Sequence, residues 1–482
     1  MKHATLLVAL LVAGLPLQAQ QDATPESQGV DSAALAELVG RARGSIPGLH
    51  SLLLVRHGKV VLDAYFYPFA PGLPHDAASV TKSITSIATG IAVDRGLEKL
   101  DEKVLPIFPR EGPAEVDARK AAITIDDLLT MRPGLDCGFR PGEQELAEMR
   151  RSPDWVQAAL ALHMKYDPGT HFGYCSPGFH LLSSILMAKT GMSEFAFARR
   201  YLFEALGIKK VIWPVDPQGR THGWGNSHLL PRDFAKLGLL YLHGGAWEGK
   251  QVVSGDWVKR SVAVHTQARA GVDYGYGWWL YNEANPKYFE ANGRGGQRVI
   301  VAPSRDLVLV LTGGGYDTNA VVPAVFAAVK GEEALPENAG AARRLREKVD
   351  AAIQPPAAGA VSAVPAVAVG KTYVLDPLNA TRLESLAFSA GELRFKMMGE
   401  EYAVPLGLDG VYRLAATGPF NLPMGAKFAR EGDGEYLLDL NLIANINHYE
   451  LRMRFVGDRV EIVANEASGL AKDLKLVGMA RR

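Results

Sequence analysis

The order of strand-like and helix-like text constrains this chain more than any single motif. Ser51–Val55 reads as a strand, Arg56-His57-Gly58-Lys59 as a hairpin turn, and Val60–Phe66 as the return strand. From Ile123 to about Lys259 the pattern is mainly helical with Pro and Gly breaks, with segments around Leu128, Trp155, Leu181, Phe234 and Trp257. Strand character returns at Tyr276–Tyr281, Arg298–Ala302 and Leu307–Thr312, the last two joined by the turn Pro303-Ser304-Arg305-Asp306. Strands at both ends of a unit with helices between them predict one sheet built from the two ends and packed by the intervening helices. A helix near Ser32–Arg43 precedes the hairpin.

Beyond this unit the text changes twice. A helix over Ala341–Ile353 leads into the Pro/Ala-rich run Gln354–Gly370, which reads as a linker unable to build a core by itself. From Lys371 onward, Leu393–Met397, Glu435–Leu440 and Tyr449–Phe455 alternate or run apolar between Gly and Asp/Asn turns, as in a small antiparallel β domain. The expected division is therefore 20–335, 336–369 and 370–482. Ahead of it, Lys2, the apolar stretch Leu6–Leu17 and Leu17-Gln18-Ala19 read as a secretory signal peptide over 1–19, cut near Ala19. Roughly twelve apolar residues fall short of the ~20 a membrane span needs, so a periplasmic or secreted chain without a membrane span is expected.

The 482 residues hold 52 basic and 52 acidic side chains, with no block of five like charges. That balance argues against nucleic acid or an anionic membrane as the main partner. No Gly-x-Ser-x-Gly elbow, His-Glu-x-x-His, phosphate loop or dinucleotide fingerprint occurs. His222 and His228 flank a Gly/Trp/Asn stretch and read as core or surface residues. The two cysteines, Cys137 and Cys175, either pair in an oxidising compartment or remain buried thiols; the residues alone leave this open.

Three clusters can carry chemistry. Ser79-Val80-Thr81-Lys82 occurs at the start of a helix whose Ile84, Ile87 and Ile91 form an apolar stripe. Three residues apart, Ser79 and Lys82 share a helix face, so a desolvated amine can take the proton of the hydroxyl. Phe172-Gly173-Tyr174-Cys175-Ser176-Pro177-Gly178 is a loop entering a helix at Phe179–Thr190. There Tyr174 is either a core aromatic or a proton shuttle whose phenolate nearby positive charge would favour. Asn292-Gly293-Arg294-Gly295-Gly296-Gln297 leads directly into a strand. Its glycines suit a tight turn or a substrate laid against backbone, and Arg294 suits a substrate carboxylate or solvent.

In this order and at these separations the clusters resemble the serine β-lactamase and penicillin-binding-protein superfamily, closest to its class C-like hydrolases. Those include esterases, D-amino-peptidases and 6-aminohexanoate-dimer hydrolases. Ile123–Met131, Pro231–Gly238 and Tyr274–Trp279 are also similar to family text, so the resemblance covers roughly residues 30 to 335. It implies an α/β (α+β) β-lactamase/transpeptidase-like fold, a central antiparallel sheet flanked by a helical subdomain, here followed by the C-terminal all-β domain. It implies Ser79 as the acylated nucleophile, Lys82 as its proton partner, and Tyr174 relaying a proton to the leaving group. The N–H groups of Ser79 and Gln297 would form the oxyanion hole, with Ser176, Arg294, Gly295 and Gly296 lining the substrate. Cysteines at both matching places in some relatives imply a disulfide between Cys137 and Cys175 beside Tyr174. Three departures are visible: Ser176 stands where asparagine is usual, Arg294 replaces a lysine or histidine, and Pro133-Gly134-Leu135 replaces Ser-Gly-Leu.

The expectation is a serine hydrolase needing no cofactor, acting on a small ester, amide or peptide through an acyl-enzyme. A β-lactamase or D-amino-acid/cell-wall peptidase is the nearest rival, and a non-catalytic binder of cell-wall peptides the rival of another class. The sequence leaves the oligomeric state open.

Overall fold

The computed structural model describes residues 21–481 apart from 114–116, 141 and 377; the expected signal peptide over 1–19 lies outside the described residues. A nine-stranded sheet forms the body of the larger unit. From one edge its strands are Gln21–Asp22, Lys59–Tyr65, Leu49–Arg56, Leu307–Gly313, Gln297–Ala302, Tyr288–Gly293, Trp279–Tyr281, Val272–Tyr274 and Thr266–Arg269. All pairings are antiparallel except that of the two-residue edge strand Gln21–Asp22. The two ends of the unit meet at its centre, where Leu53 lies opposite Val310.

Leu49–Arg56 and Leu307–Gly313 are buried along their whole length, which is why they read as continuous apolar runs. The two-residue period sends alternate side chains into different cores. Leu52, Leu54, Leu309 and Leu311 pack with the helices Ser32–Ser45 and Ala339–Ala352. Leu53, Val55, Val308 and Val310 join the core of the helical layer, which includes Thr81–Asp94, Ser176–Thr190 and Pro231–Leu242.

The strand expected over Tyr276–Tyr281 is confined to Trp279–Tyr281. Gly275 N–H donates to Trp278 O at 2.9 Å and closes a turn in which Gly277 adopts φ +75°, so Tyr276 and Trp278 fill the core from a turn. Tyr288–Gly293 went unrecognised because it carries Glu290, a carboxylate buried inside the sheet. That residue survives there because Arg298, Tyr281 and Asn292 all donate to it.

The C-terminal unit is a ten-stranded sheet that curls on itself. Its neighbours run Glu400–Gly407, Glu392–Met397, Leu383–Phe388, Thr372–Val374, Leu474–Arg481, Arg459–Glu466, His448–Val456, Glu435–Asn441, Met424–Gly432 and Arg413–Ala415. A parallel contact of Leu406–Gly407 with Ala426–Lys427 makes it barrel-like. Phe395, Phe428, Leu440, Leu451 and Ile462 fill the inside. The run 354–370 contributes to that core after all. Ser362 N–H donates to Leu408 O, and Val364 and Ala368 are buried among the barrel residues, because small apolar side chains fit where backbone bonds already fix the chain.

Candidate active site

Ser79 sits in the one-turn 3₁₀ segment Ala78–Val80, immediately ahead of the helix Thr81–Asp94. That helix is buried from Thr81 to Ala92, and two of its hydroxyls tie it to neighbouring segments: Ser83 donates to Gly277 O at 2.6 Å and Thr85 to Gly223 O at 2.7 Å. The residue before the nucleophile, Ala78, adopts φ +45°. Such a conformation costs on the order of 1 kcal/mol for a residue with a Cβ. It is held by the Asp76 carboxylate, which accepts from Ala78 N–H at 2.8 Å. Gly293 makes room for this turn. A Cβ there would lie 2.6 Å from Ala77 O and 2.9 Å from Ala78 Cβ.

Lys82 Nζ lies 3.0 Å from Ser79 Oγ and donates to Trp224 O at 2.7 Å. With the residue only 1 % exposed, burial lowers the ammonium pKa to about 8, while the Glu143 carboxylate pulls it upward. Lys82 is therefore a base within reach near neutral pH.

Tyr174 packs beside the amine, which stands 4.8 Å from its ring centroid, and stacks on Trp279 at 5.7 Å between centroids. Its loop is fixed by a disulfide: Cys137 and Cys175 are bonded, with Cα atoms 5.1 Å apart. The expected tendency toward phenolate is reversed. Burial first, then the Glu143 carboxylate, push the Tyr174 pKa up, and a hydrogen bond with Ser79 opposes them only in part. Tyr174 is thus a neutral phenol, able to donate a proton and to be reprotonated.

Glu143 itself escaped the sequence reading. It stands at φ +49° just before the helix Gln144–Arg151 and accepts a short hydrogen bond from Ser176 Oγ. Only the turn text Pro141-Gly142 marks its place in the sequence. Ser176 is fully buried and gives its proton to this carboxylate, so it presents Glu143 to the site rather than its own hydroxyl.

The turn Ala78–Val80, which carries Ser79, packs against the strands Tyr288–Gly293 and Gln297–Ala302. The Gln297 amide locks this corner: its Nε2 donates to Gly313 O and Arg294 O, and its Oε1 accepts from Gly313 N–H at 3.0 Å. Gly296, at φ +93°, permits the close approach of Tyr316, whose hydroxyl donates to Gly296 O at 2.7 Å. A Cβ on Gly295 would stand 2.4 Å from Ile446 Cγ2.

Arg294 is exposed, as the solvated alternative has it, and its guanidinium also bonds Ser468 Oγ and lies 3.6 Å from Glu466 Oε1, both in the C-terminal unit. Further contacts bring that unit over the nucleophile's flank. Asp76 N–H donates to Ala444 O at 2.8 Å, His228 Nε2 lies 3.1 Å from Asn445 Oδ1, and Ala444–Ile446 are buried. His222 and His228 are buried core residues.

The family model described as Beta-lactamase matches residues 32–328. The chain is 24 % identical over 282 residues to the 6-aminohexanoate-dimer hydrolase of Paenarthrobacter ureafaciens, covering 54 % of this chain and 71 % of that protein. It is 27 % identical over 291 residues to penicillin-binding protein 4 of Amycolatopsis lactamdurans, covering 50 % and 73 %. Among solved structures it is similar to EstCE1, a hydrolase with promiscuous acyltransferase activity. The TM-score is 0.53 at 16 % identity, over 62 % of this chain and 99 % of that one, a likeness of fold.

Proposed function

The chain belongs to the β-lactamase family of serine hydrolases, and on that premise we propose that it is exported and cleaves a small ester or amide through an acyl-enzyme on Ser79. The observation that carries the reading is the buried Lys82 amine, 3.0 Å from Ser79 Oγ with its pKa lowered to about 8. In the neutral form Lys82 takes the Ser79 proton as Oγ attacks the carbonyl carbon. The oxyanion of the tetrahedral intermediate accepts hydrogen bonds from the N–H groups of Ser79 and Gln297, ahead of the helix Thr81–Asp94, whose N-terminal dipole favours negative charge. Tyr174 donates its phenolic proton to the leaving oxygen or nitrogen and recovers one from the Lys82 ammonium. Water then attacks the acyl-enzyme, its proton passing to the same Lys82–Tyr174 pair, and Ser79 is regenerated.

Esters and simple amides rank above β-lactams in this reading. At the position where asparagine is usual, Ser176 offers no amide and is buried and bonded to Glu143. Export rests on Lys2, the apolar run Leu6–Leu17 and the cut expected near Ala19. Among the described residues no helix is long and apolar enough to cross a membrane.

A fluorescent phosphonate probe tests the nucleophile: it should label the full chain and fail on Ser79→Ala, whereas a non-catalytic binder would label in neither form. Turnover of a short-chain nitrophenyl ester, a chromogenic cephalosporin and a D-alanyl peptide then ranks substrates. Cephalosporin hydrolysis faster than ester hydrolysis would overturn the ranking.

A further inference from the structure

A cavity of about 670 Å³ opens on the far side of the nine-stranded sheet, and none of the residues lining it belongs to the Ser79 site. The strand Tyr288–Gly293 separates the two. Its period of two sends Phe289 and Ala291 into the core of the helical layer, which also holds Val80 and Ile84 beside Ser79. Tyr288 and Glu290 point the other way and line the cavity with Tyr281 and Arg298 from the two neighbouring strands. The helix Val322–Ala328 forms a second wall, and the turn Pro303–Arg305 adds Arg305.

The lining divides into an apolar wall and a set of donors. Phe326, Val322 and Pro323 stand with the stacked pair Tyr281 and Tyr288, whose ring centroids are 4.5 Å apart, and Tyr288 meets Phe326 at 5.8 Å. Among the described residues the one acidic member of the lining is Glu290. It is 1 % exposed and already accepts from Arg298, Tyr281 and Asn292. Donors are left over. Arg298 Nε is buried without a partner, and among the described residues Arg305 makes no hydrogen bond and no ion pair. Arg269 carries its guanidinium carbon 5.3 Å from the Trp279 ring centroid, a contact that satisfies none of its five N–H groups. Burial, followed by the Glu290 charge, raises the Tyr288 pKa, so its hydroxyl remains a neutral donor. Three guanidinium groups against one carboxylate leave two positive charges of the lining unmatched.

The volume falls within the range of about 300–1,000 Å³ that small-molecule sites occupy, and apolar walls with a few placed polar groups are their usual composition. A space richer in donors and positive charge than in carboxylates favours an anion, and its apolar wall favours a hydrocarbon body over an inorganic ion. We propose that this cavity is a second ligand site, separate from the nucleophile, for a small organic carboxylate with an aromatic or aliphatic body. The carboxylate pairs with the arginine donors, Arg305 foremost, and the body packs against Phe326, Val322 and Pro323. The site stands or falls independently of the reaction at Ser79.

Calorimetric titration of 4-phenylbutyrate into the full chain tests this, with 4-phenylbutyramide as the neutral counterpart. The acid should bind, and the amide should bind about tenfold or more weakly. Arg305→Gln should bring the two affinities together. Ala327→Trp, which fills the cavity from an exposed position on the helix Val322–Ala328, should abolish binding of both. Unfolding midpoints close to that of the wild type show that the two variants are folded. Labelling Ser79 with the phosphonate beforehand should leave the affinity for the acid unchanged. Loss of binding on labelling would place the acid at the nucleophile and overturn the second site. Absence of binding to the full chain, equal affinity for acid and amide, or binding that survives Ala327→Trp would overturn it as well.

Discussion

Replacing Lys82 by methionine should separate catalysis from stability, moving them in opposite directions. With a pKa of about 8, the amine is about 1 % neutral at pH 6, about 9 % at pH 7 and half neutral at pH 8. If the neutral form is the base, kcat/KM for a nitrophenyl ester rises about 50-fold between pH 6 and pH 8 and levels off near pH 9. An ordinary lysine, with a pKa of 10.5, would be only about 0.3 % neutral at pH 8, so burial supplies roughly 150-fold more free base there. That base has a stability cost. The folded-state pKa lies below the unfolded value, so the contribution of Lys82 to stability is complete above about pH 10.5 and lost as pH falls through 8. The loss, 2.5 units at 1.36 kcal/mol each, is about 3 kcal/mol at pH 7 for this buried group. Lys82→Met should therefore lose about 10²- to 10⁴-fold in kcat/KM yet gain up to about 3 kcal/mol at pH 7 in urea unfolding, a gain that shrinks toward pH 10. The Trp224 carbonyl left without its donor takes back part of that gain. A wild-type profile flat from pH 6 to pH 8 would refute the assignment of the base. A Lys82→Met protein less stable than wild type at pH 7 would refute the burial argument.

Three further outcomes follow from the same geometry. Glu143→Gln removes the carboxylate that holds the Lys82 pKa up, so the rising limb of the pH profile should move to lower pH; movement to higher pH would contradict the electrostatics. Tyr174→Phe should slow an alkyl ester more than a nitrophenyl ester, by about tenfold or more, because only the poorer leaving group needs a proton; equal losses on both would remove Tyr174 from the leaving-group step. Reducing the Cys137–Cys175 bond, which closes a 38-residue loop, should cost about 4 kcal/mol in denaturant unfolding by loop entropy, and an unchanged midpoint would show that packing of the Tyr174 loop suffices.

What could be read from the sequence was local. Ser79 and Lys82 are three residues apart across the junction of the 3₁₀ turn Ala78–Val80 with the helix Thr81–Asp94, so their contact follows from local helical spacing. The strands Leu49–Arg56 and Leu307–Gly313 announced themselves because burial on both faces leaves only apolar residues. Glu143 was invisible because its partners, Lys82, Tyr174 and Ser176, come from other parts of the chain. The contacts of Arg294 were invisible for the same reason: Glu466 and Ser468 lie in a different folding unit. Tyr276 and Trp278 misled in another way, since large rings in a turn carry the same hydrophobic signal as rings on a strand.

The pairing of Leu53 with Val310 also sets a timetable. Relative to a ten-residue hairpin, closing a loop of about 250 residues costs about 3 kcal/mol more entropy, at about 0.6 kcal/mol per doubling of length. Until residue 307 is available, the strand Leu49–Arg56 has a bare edge and apolar side chains on both faces, the features that invite pairing with another chain. Most neighbouring strands of the barrel, by contrast, are consecutive in sequence, as in Glu435–Asn441 with His448–Val456. Low sequence separation favours fast pairing. The barrel can therefore zip up strand by strand along the chain, whereas the larger sheet waits for its two distant ends to meet.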